Sequence, residues 1–281
     1  MAKVVIAEEA GACYGVERAL RMVQEAVEKN EKVCTLGPLI HNPRVVDGLA
    51  SRGVRVVSTP EEAAGSALVL RTHGVTPDEE RRAREVCSKV IDATCPFVKK
   101  VHQAVERLAK DGYQVVIVGE AGHPEVVGTL AHAPQATVIA SAKEAERLPH
   151  AHRMGVVVQT TQSIAVLREC VGALLARCDE LHVVNTICEA TSGHQGACAK
   201  LARQADVMVV IGGRNSANTT HLAEIARKLC PSTHHIEGAD ELSGPWFSGA
   251  KLIGVTAGAS TPAAQINDVA AAIRAMVGEQ A

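Results

Sequence analysis

The sequence predicts an α/β protein made of three small parallel-sheet domains. Three observations carry that reading. Short runs rich in Val and Ile alternate with amphipathic, helix-like stretches from end to end. Hydrophobic residues reach 47% while aromatics are only 2%, so the cores must be built from Val, Ile, Leu and Ala. That mixture suits parallel sheets covered by helices on both faces. Finally, each third of the chain carries one cysteine at the start of a helix-like pattern.

Strands are expected at residues 3–7, 32–36, 55–57, 68–71, 90–92, 114–118, 138–140, 156–159, 181–184, 207–211 and 251–256. Helices are expected at 16–28, 96–110, 164–177, 194–204, 221–229 and 262–277, where apolar residues recur every three or four positions. Strands joined by crossover helices imply right-handed βαβ units. Pro96 suits a first helical position, with Cys95 just before it. Residues 231–250 mix Pro, Gly, Ser and His and are expected to form an irregular loop with short elements. Soft boundaries near 95 and 187 divide the chain into domains 1–95, 96–187 and 188–281.

Lys plus Arg number 29 against 31 Asp plus Glu, a net charge of −2, with no long basic stripe. Nucleic acid is therefore not an expected partner. No apolar run approaches the roughly 20 residues that cross a bilayer. The opening Met-Ala-Lys-Val-Val-Ile runs straight into a strand without the shape of a signal peptide. The expected setting is the reducing cytoplasm. Nine cysteines, an odd number with no CxxC, make disulfides unexpected there. Cys34, Cys87, Cys170, Cys178, Cys198 and Cys230 lie in apolar patterns and read as small buried hydrophobes.

The other three cysteines differ. Cys13 lies in Gly-Ala-Cys-Tyr-Gly-Val-Glu, Cys95 in Asp-Ala-Thr-Cys-Pro-Phe-Val and Cys188 in Asn-Thr-Ile-Cys-Glu-Ala-Thr. Unpaired N–H groups and the dipole at a helix start favour thiolate, the form that binds metal. They stand 82 and 93 residues apart, unlike the close pairs of structural zinc sites. On spacing alone they are either ligands of one iron–sulfur cluster with an open iron position or ordinary buried thiols.

In parallel sheets, ligands bind beyond the carboxyl ends of the strands. Polar motifs gather there. They are His41-Asn42-Pro43, Thr72-His73-Gly74, Gly122-His123-Pro124-Glu125, Gln159-Thr160-Thr161, Gly212 to Asn218 and Ala257 to Pro262. His41, His73 and His123 adjoin Gly or Pro and are candidate ligand contacts. Most of the other nine histidines, including His102, read as solvated or structural. The turns around Ser216, Asn218 and Ser260 either cradle an anion or simply connect elements tightly, and neither is a P-loop. Glu125, near Thr160, is either a proton relay or a helix-start carboxylate favourable to the dipole.

Six ordered motifs together resemble the 4-hydroxy-3-methylbut-2-enyl diphosphate reductases. They are Gly-Ala-Cys13-Tyr-Gly-Val, Asp-Ala-Thr-Cys95-Pro, Gly-His123-Pro-Glu125-Val, Gln-Thr160-Thr, Asn-Ser216-Ala-Asn218 and Val-Thr-Ala-Gly-Ala-Ser260. The resemblance covers nearly the whole chain. It implies a pseudo-threefold trefoil of α/β domains around a 4Fe–4S cluster ligated by Cys13, Cys95 and Cys188, with the fourth iron open to substrate. It implies a diphosphate pocket lined by His41, His73, His123, Ser216, Asn218 and Ser260. Thr160 would hold the substrate hydroxyl, and Glu125 would feed protons. The implied reaction is reductive dehydroxylation to isopentenyl and dimethylallyl diphosphate, with electrons from ferredoxin or flavodoxin. The chain departs from the family pattern at Ala217, where a second serine is common, and at His194, where arginine is common. Two alternatives compete: a quinolinate-synthase-like iron–sulfur lyase and a non-catalytic cluster-binding redox sensor. The His-Pro-Glu and Gln-Thr-Thr motifs argue against the first. The absence of a DNA-binding motif argues against a DNA readout for the second.

Overall fold

The computed structural model describes residues 2–29 and 32–279. The first half of the chain forms β1 (Lys3–Ile6), α1 (Tyr14–Glu28), β2 (Val33–Leu36), α2 (Pro43–Ala50), β3 (Arg55–Val57), β4 (Ala67–Leu70), α3 (Pro77–Val86), β5 (Lys89–Asp92), α4 (Pro96–Lys110), β6 (Gln114–Val118) and α5 (Pro124–Ala131). The second half forms β7 (Thr137–Ile139), α6 (Ala142–Ala145), β8 (Ala151–Val158), α7 (Ile164–Leu174), β9 (Cys178–Val183), α8 (Glu189–Ala202), β10 (Val207–Ile211), α9 (Ala217–Leu229), β11 (Thr233–Ile236), β12 (Leu252–Ala257) and α10 (Ala263–Val277).

Among the described residues the strands form three four-stranded sheets, ordered β3-β2-β4-β5, β7-β6-β8-β9 and β11-β10-β12-β1. Every pairing is parallel. The expected α/β class with three parallel sheets is what the chain adopts.

The three sheets repeat one topology. In each, the first strand lies inside, the second takes one edge, the third lies beside the first, and the fourth takes the other edge. The last sheet borrows its fourth strand from the start of the chain, because β1 pairs with β12 in register Lys3↔Leu252 to Ile6↔Val255. A contiguous 1–95 domain therefore does not describe this arrangement: its first strand belongs to the sheet of β10–β12. The fourth strand of each sheet leads to a cysteine, namely Cys95 after β5, Cys188 after β9 and Cys13 after β1.

By contact density the chain forms two compact units. One comprises Met1–Tyr14, His41–Val45 and Glu189–Ala281; the other comprises Gly15–Ile40 and Val46–Cys188. The first unit holds one sheet and the second holds two. Alternate strand residues enter separate cores, as two covered faces require. On the β6–β8 sheet, Val116, Val118, Val156 and Val158 pack with Leu167, Cys170 and Leu174 of α7. Val115, Ile117 and Val157 pack with Val101, Val105 and Leu108 of α4 on the other face. On the β10–β12 sheet, Val209, Ile211 and Val255 meet Ile266, Val269 and Ile273 of α10, while Met208 and Val210 meet Leu222, Ala223 and Ala226 of α9. Each fully buried aliphatic side chain contributes on the order of 1.5–3 kcal/mol.

Several local expectations differ from the structure, among them the strands expected at 156–159 and 181–184, which begin earlier, at Ala151 and Cys178. The 231–250 stretch contains the edge strand β11, whose central His234 and His235 carry no strand signal in sequence. Helices α8 and α9 begin at Glu189 and Ala217, a turn or more before the expected 194 and 221. Their first turns, Glu-Ala-Thr-Ser-Gly and Ala-Asn-Thr-Thr, are polar and hide the apolar period.

Candidate active site

The topological repeat sets out the candidate site. After the first strand of each sheet comes a glycine and, four residues later, a polar side chain that precedes or opens the next helix. These pairs are Gly37 and His41, Gly119 and His123, and Gly212 and Ser216. After the third strand comes a second polar loop, carrying His73, Thr160 or Ser260. The cysteine that follows the fourth strand donates its backbone N–H to this second loop. Cys95 N–H reaches Thr72 O at 2.9 Å, Cys188 N–H reaches Thr160 O at 3.1 Å and Cys13 N–H reaches Ala259 O at 3.1 Å. Each acceptor lies two residues past its strand.

In the two-sheet unit, the centre is a buried acid. Glu125 is 2% exposed. Its Oε1 accepts the Thr160 backbone N–H at 2.7 Å and its Oε2 accepts the Thr160 hydroxyl at 2.6 Å. Burial pushes the Glu125 pKa up, and the two Thr160 bonds pull in the opposite direction. Burial dominates, so a neutral carboxylic acid persists above the usual carboxylate range. His123 caps α5, its Nδ1 accepting the Glu125 backbone N–H at 3.2 Å. That bond leaves the proton of a neutral His123 ring on Nε2, where it can be donated. The His73 and His123 rings meet edge to face, centroids 5.6 Å apart.

Arg71 escaped the sequence reading. Its Nε donates to Gly74 O at 3.1 Å. Gly37 has φ +69, and a Cβ there would lie 2.5 Å from Arg71 Nη1. Burial lowers the Arg71 pKa, and Glu79 offsets part of that. The signal was an arginine directly after the apolar run Ala67–Leu70, a costly place for a cation unless it is used.

In the one-sheet unit, Ser216 caps α9, its Oγ accepting the Thr219 N–H at 3.3 Å. Asn218 is 3% exposed, and neither its Oδ1 nor its Nδ2 has a hydrogen-bond partner. An unsatisfied buried amide in a helix's first turn is uncommon and has donor and acceptor capacity to spare for a polar group. The Ser260 hydroxyl donates to His41 O at 3.0 Å. Asn42 Nδ2 donates to Ser260 O at 2.9 Å and to Gln265 Oε1 at 3.0 Å. The His41 and Ser260 loops are thereby tied together.

The cysteine donor set fits a thiolate-bound cluster locally. Cys13, Cys95 and Cys188 each immediately precede a helix and are partly exposed, whereas Cys34, Cys170, Cys198 and Cys230 are buried. Burial pushes the Cys198 thiol up to about 12 and also raises Cys170 and Cys230, which keeps those protonated. Among the described residues, however, no three His, Cys, Asp or Glu side chains are gathered into a metal-binding group. Cys13 belongs to one compact unit, Cys95 and Cys188 to the other. Among the described residues no helix is long and apolar enough to cross a membrane.

Residues 4–274 match the profile of the family described as LytB protein. The chain belongs to the LytB family. It is 48% identical over 268 residues to the 4-hydroxy-3-methylbut-2-enyl diphosphate reductase of Geobacter sulfurreducens, covering 95% of each chain. It is 46% identical to the Aquifex aeolicus protein of the same name, covering 93% of this chain and 92% of that one. Among solved structures, the (E)-4-hydroxy-3-methyl-but-2-enyl diphosphate reductase described as the terminal enzyme of the non-mevalonate pathway shares 44% identity at a TM-score of 0.70. That alignment covers 98% of this chain and all of the other. The Plasmodium falciparum reductase aligns at a TM-score of 0.87 with 26% identity, covering 94% of this chain and 85% of its own. Membership of the LytB family sets aside the lyase and sensor alternatives.

Proposed function

We propose that this chain reduces 4-hydroxy-3-methylbut-2-enyl diphosphate to isopentenyl and dimethylallyl diphosphate. Two electrons and two protons enter, and the allylic hydroxyl leaves as water. The observation that carries the reading is the buried acid Glu125, doubly bonded to Thr160 inside a LytB-family chain. Cys13, Cys95 and Cys188 would hold a 4Fe–4S cluster that, when bound, supplies electrons and Lewis acidity at its iron without a cysteine.

The remaining work falls to the chain's own side chains. His41, His73, His123, Ser216, Asn218 and Ser260 bind the diphosphate. The His123 Nε2–H and the unpartnered Asn218 amide give it donors without a fixed positive charge in contact. Thr160 Oγ orients the substrate hydroxyl. The Glu125 carboxyl, whose proton burial favours, passes that proton through Thr160 Oγ to the departing oxygen. Burial of these groups keeps bulk water from competing for that proton. Ala217 offers the diphosphate only its backbone N–H, and His194 replaces a cation with a buried imidazole whose pKa burial lowers. The electron donor is a ferredoxin or flavodoxin, and the setting is the cytoplasm.

The test is anaerobic turnover. Protein with full iron and sulfide content, given the allylic diphosphate and reduced methyl viologen, is expected to release both five-carbon diphosphates. Fully loaded protein that forms neither product refutes the assignment.

A further inference from the structure

One buried ring is left unused by that account. His102 lies in α4, seven residues after Cys95, and is 8% exposed. Its Nε2 is buried without a hydrogen-bond partner. Leaving such a nitrogen unpaired carries a desolvation cost that an aliphatic core residue would avoid. Burial, reinforced by neighbouring His132, pushes the His102 pKa down to about 4, so the ring is neutral. One face stacks on His132 with centroids 4.1 Å apart and planes at 24°. His132 is itself fixed by Glu106, with Nδ1 2.7 Å from Oε1.

The ring's other neighbours explain why it is tolerated. A Cβ at Gly74 would lie 2.9 Å from His102 Cε1, and a Cβ at Gly128 would lie 3.7 Å from Nε2. Gly74 has φ +78 and directly follows His73. Gly128 lies in α5, the helix that His123 caps and that carries Glu125. The flat imidazole therefore fills a slot between two glycine backbones, one in the His73 turn and one in the acid-bearing helix. Thr94 Cγ2, 3.4 Å from the Gly74 Cβ position, and the Arg71 Nε bond to Gly74 O close other sides of the turn.

The two arms meeting at this slot depend differently on the ring. Glu125 has two hydrogen bonds from Thr160 that do not involve His102. The Gly74 turn is held by its Gly74 N–H bond to Arg71 O, by the Arg71 side chain and, through Thr72, by bonds from Cys95 N–H and to Leu39 O, and it meets α5 directly where a Cβ at Gly128 would lie 3.8 Å from Gly74 C. Removal of the ring would open a void against Gly74, into which the His73 end of the turn can shift, and would leave the bonds to the acid intact.

We propose that His102 is a positioning residue whose flat ring wedges the Gly74 turn against α5, setting His73 beside His123 for diphosphate binding. The proposal rests on the diphosphate-reductase reading above. Its readout is the division of the effect between KM and kcat, measured on holoenzyme matched for iron and sulfide. His102→Ala is expected to raise KM for the allylic diphosphate about tenfold, and Kd for inorganic diphosphate by calorimetry equally, roughly 1.4 kcal/mol in each case. Because Glu125 stays anchored, kcat should remain within about threefold, a change under 1 kcal/mol. His102→Phe, which keeps a flat ring and removes both nitrogens, should restore KM and Kd to within about threefold of wild type. If the alanine variant fails to load cluster, His102→Gln takes its place with the same expected rise. Unchanged KM and Kd in the truncated variant overturn the proposal. So does a loss confined to kcat, or a phenylalanine variant as impaired as alanine. Wild-type holoenzyme without turnover would instead refute the functional reading, while the calorimetric comparison would still judge the role of His102.

Discussion

The loops after β6 and β10 occupy the same place in their sheets but carry opposite chemistry. Each starts at a glycine, Gly119 or Gly212, and reaches a helix cap four residues later, His123 or Ser216. In both, the cap side chain accepts an N–H of its own helix, Glu125 N–H in one and Thr219 N–H in the other. Two residues past the cap, one loop holds Glu125 and the other Asn218, both buried. The carboxyl is satisfied twice by Thr160, whereas the amide has no partner at all. Equivalent backbone positions thus differ by one side chain each, an internally satisfied acid in one loop and an unsatisfied amide in the other, and under the proposed function the first passes a proton while the second meets the ligand.

The most severe way to break this contrast is to make the two positions alike. Glu125→Gln puts an amide where the acid stood, and it is expected to lower turnover by about 10²–10⁴-fold, the usual worth of a positioned general acid. Iron and sulfide content should be unchanged, since no cysteine is touched. Turnover within about threefold of wild type would remove Glu125 from the proton path. The converse change at the other loop is smaller. Asn218→Asp places a carboxylate in the first turn of α9, where it would oppose an incoming anion. KM for the allylic diphosphate is expected to rise about 100-fold, against about tenfold for Asn218→Ala, which loses only the amide's hydrogen bonds. Equal KM in all three proteins would show that Asn218 does not meet the substrate.

How far these loops could be read from sequence follows the same divide. The strands that place them were legible because buried parallel strands such as Val207–Ile211 are continuous apolar runs. The cysteines were legible as helix openers because Pro96 marks the start of α4. The helix starts at Glu189 and Ala217 were not, since their polar first turns erase the apolar period that announces a helix. The repeat itself was only faintly visible. Its third copy is split between the two ends of the chain, and β1 finds β12 through a pairing 249 residues apart that no local pattern encodes. The motifs containing Glu125 and Thr160 stood out in sequence, but their pairing is a contact between different strand ends. Arg71 and His102 were missed for a related reason. Each acts on a glycine turn contributed by another stretch of backbone.

The mildest test concerns stability rather than catalysis. Burial raises the Glu125 pKa above its ordinary value of 4.5. Between that value and the raised one, the folded chain keeps a proton that the unfolded chain has lost. The contribution of Glu125 to stability is therefore fully present below pH 4.5 and is lost as pH rises through the folded pKa. Within that window the slope is at most about 1.4 kcal/mol per pH unit for the single proton. Glu125→Gln cannot titrate, although its amide gives up one of the two acceptors that serve Thr160. Thermal unfolding of both holoproteins at a series of pH values from 4.5 upward should thus show wild type losing ground to the variant as pH increases. Asn218→Ala, compared in the same way, should run parallel to wild type, because no proton is exchanged at that loop. A wild-type and Glu125→Gln pair whose Tm difference is flat with pH would mean that the carboxyl is already ionised in the folded protein, and the contrast between a proton store and a ligand-seeking amide would lose its basis.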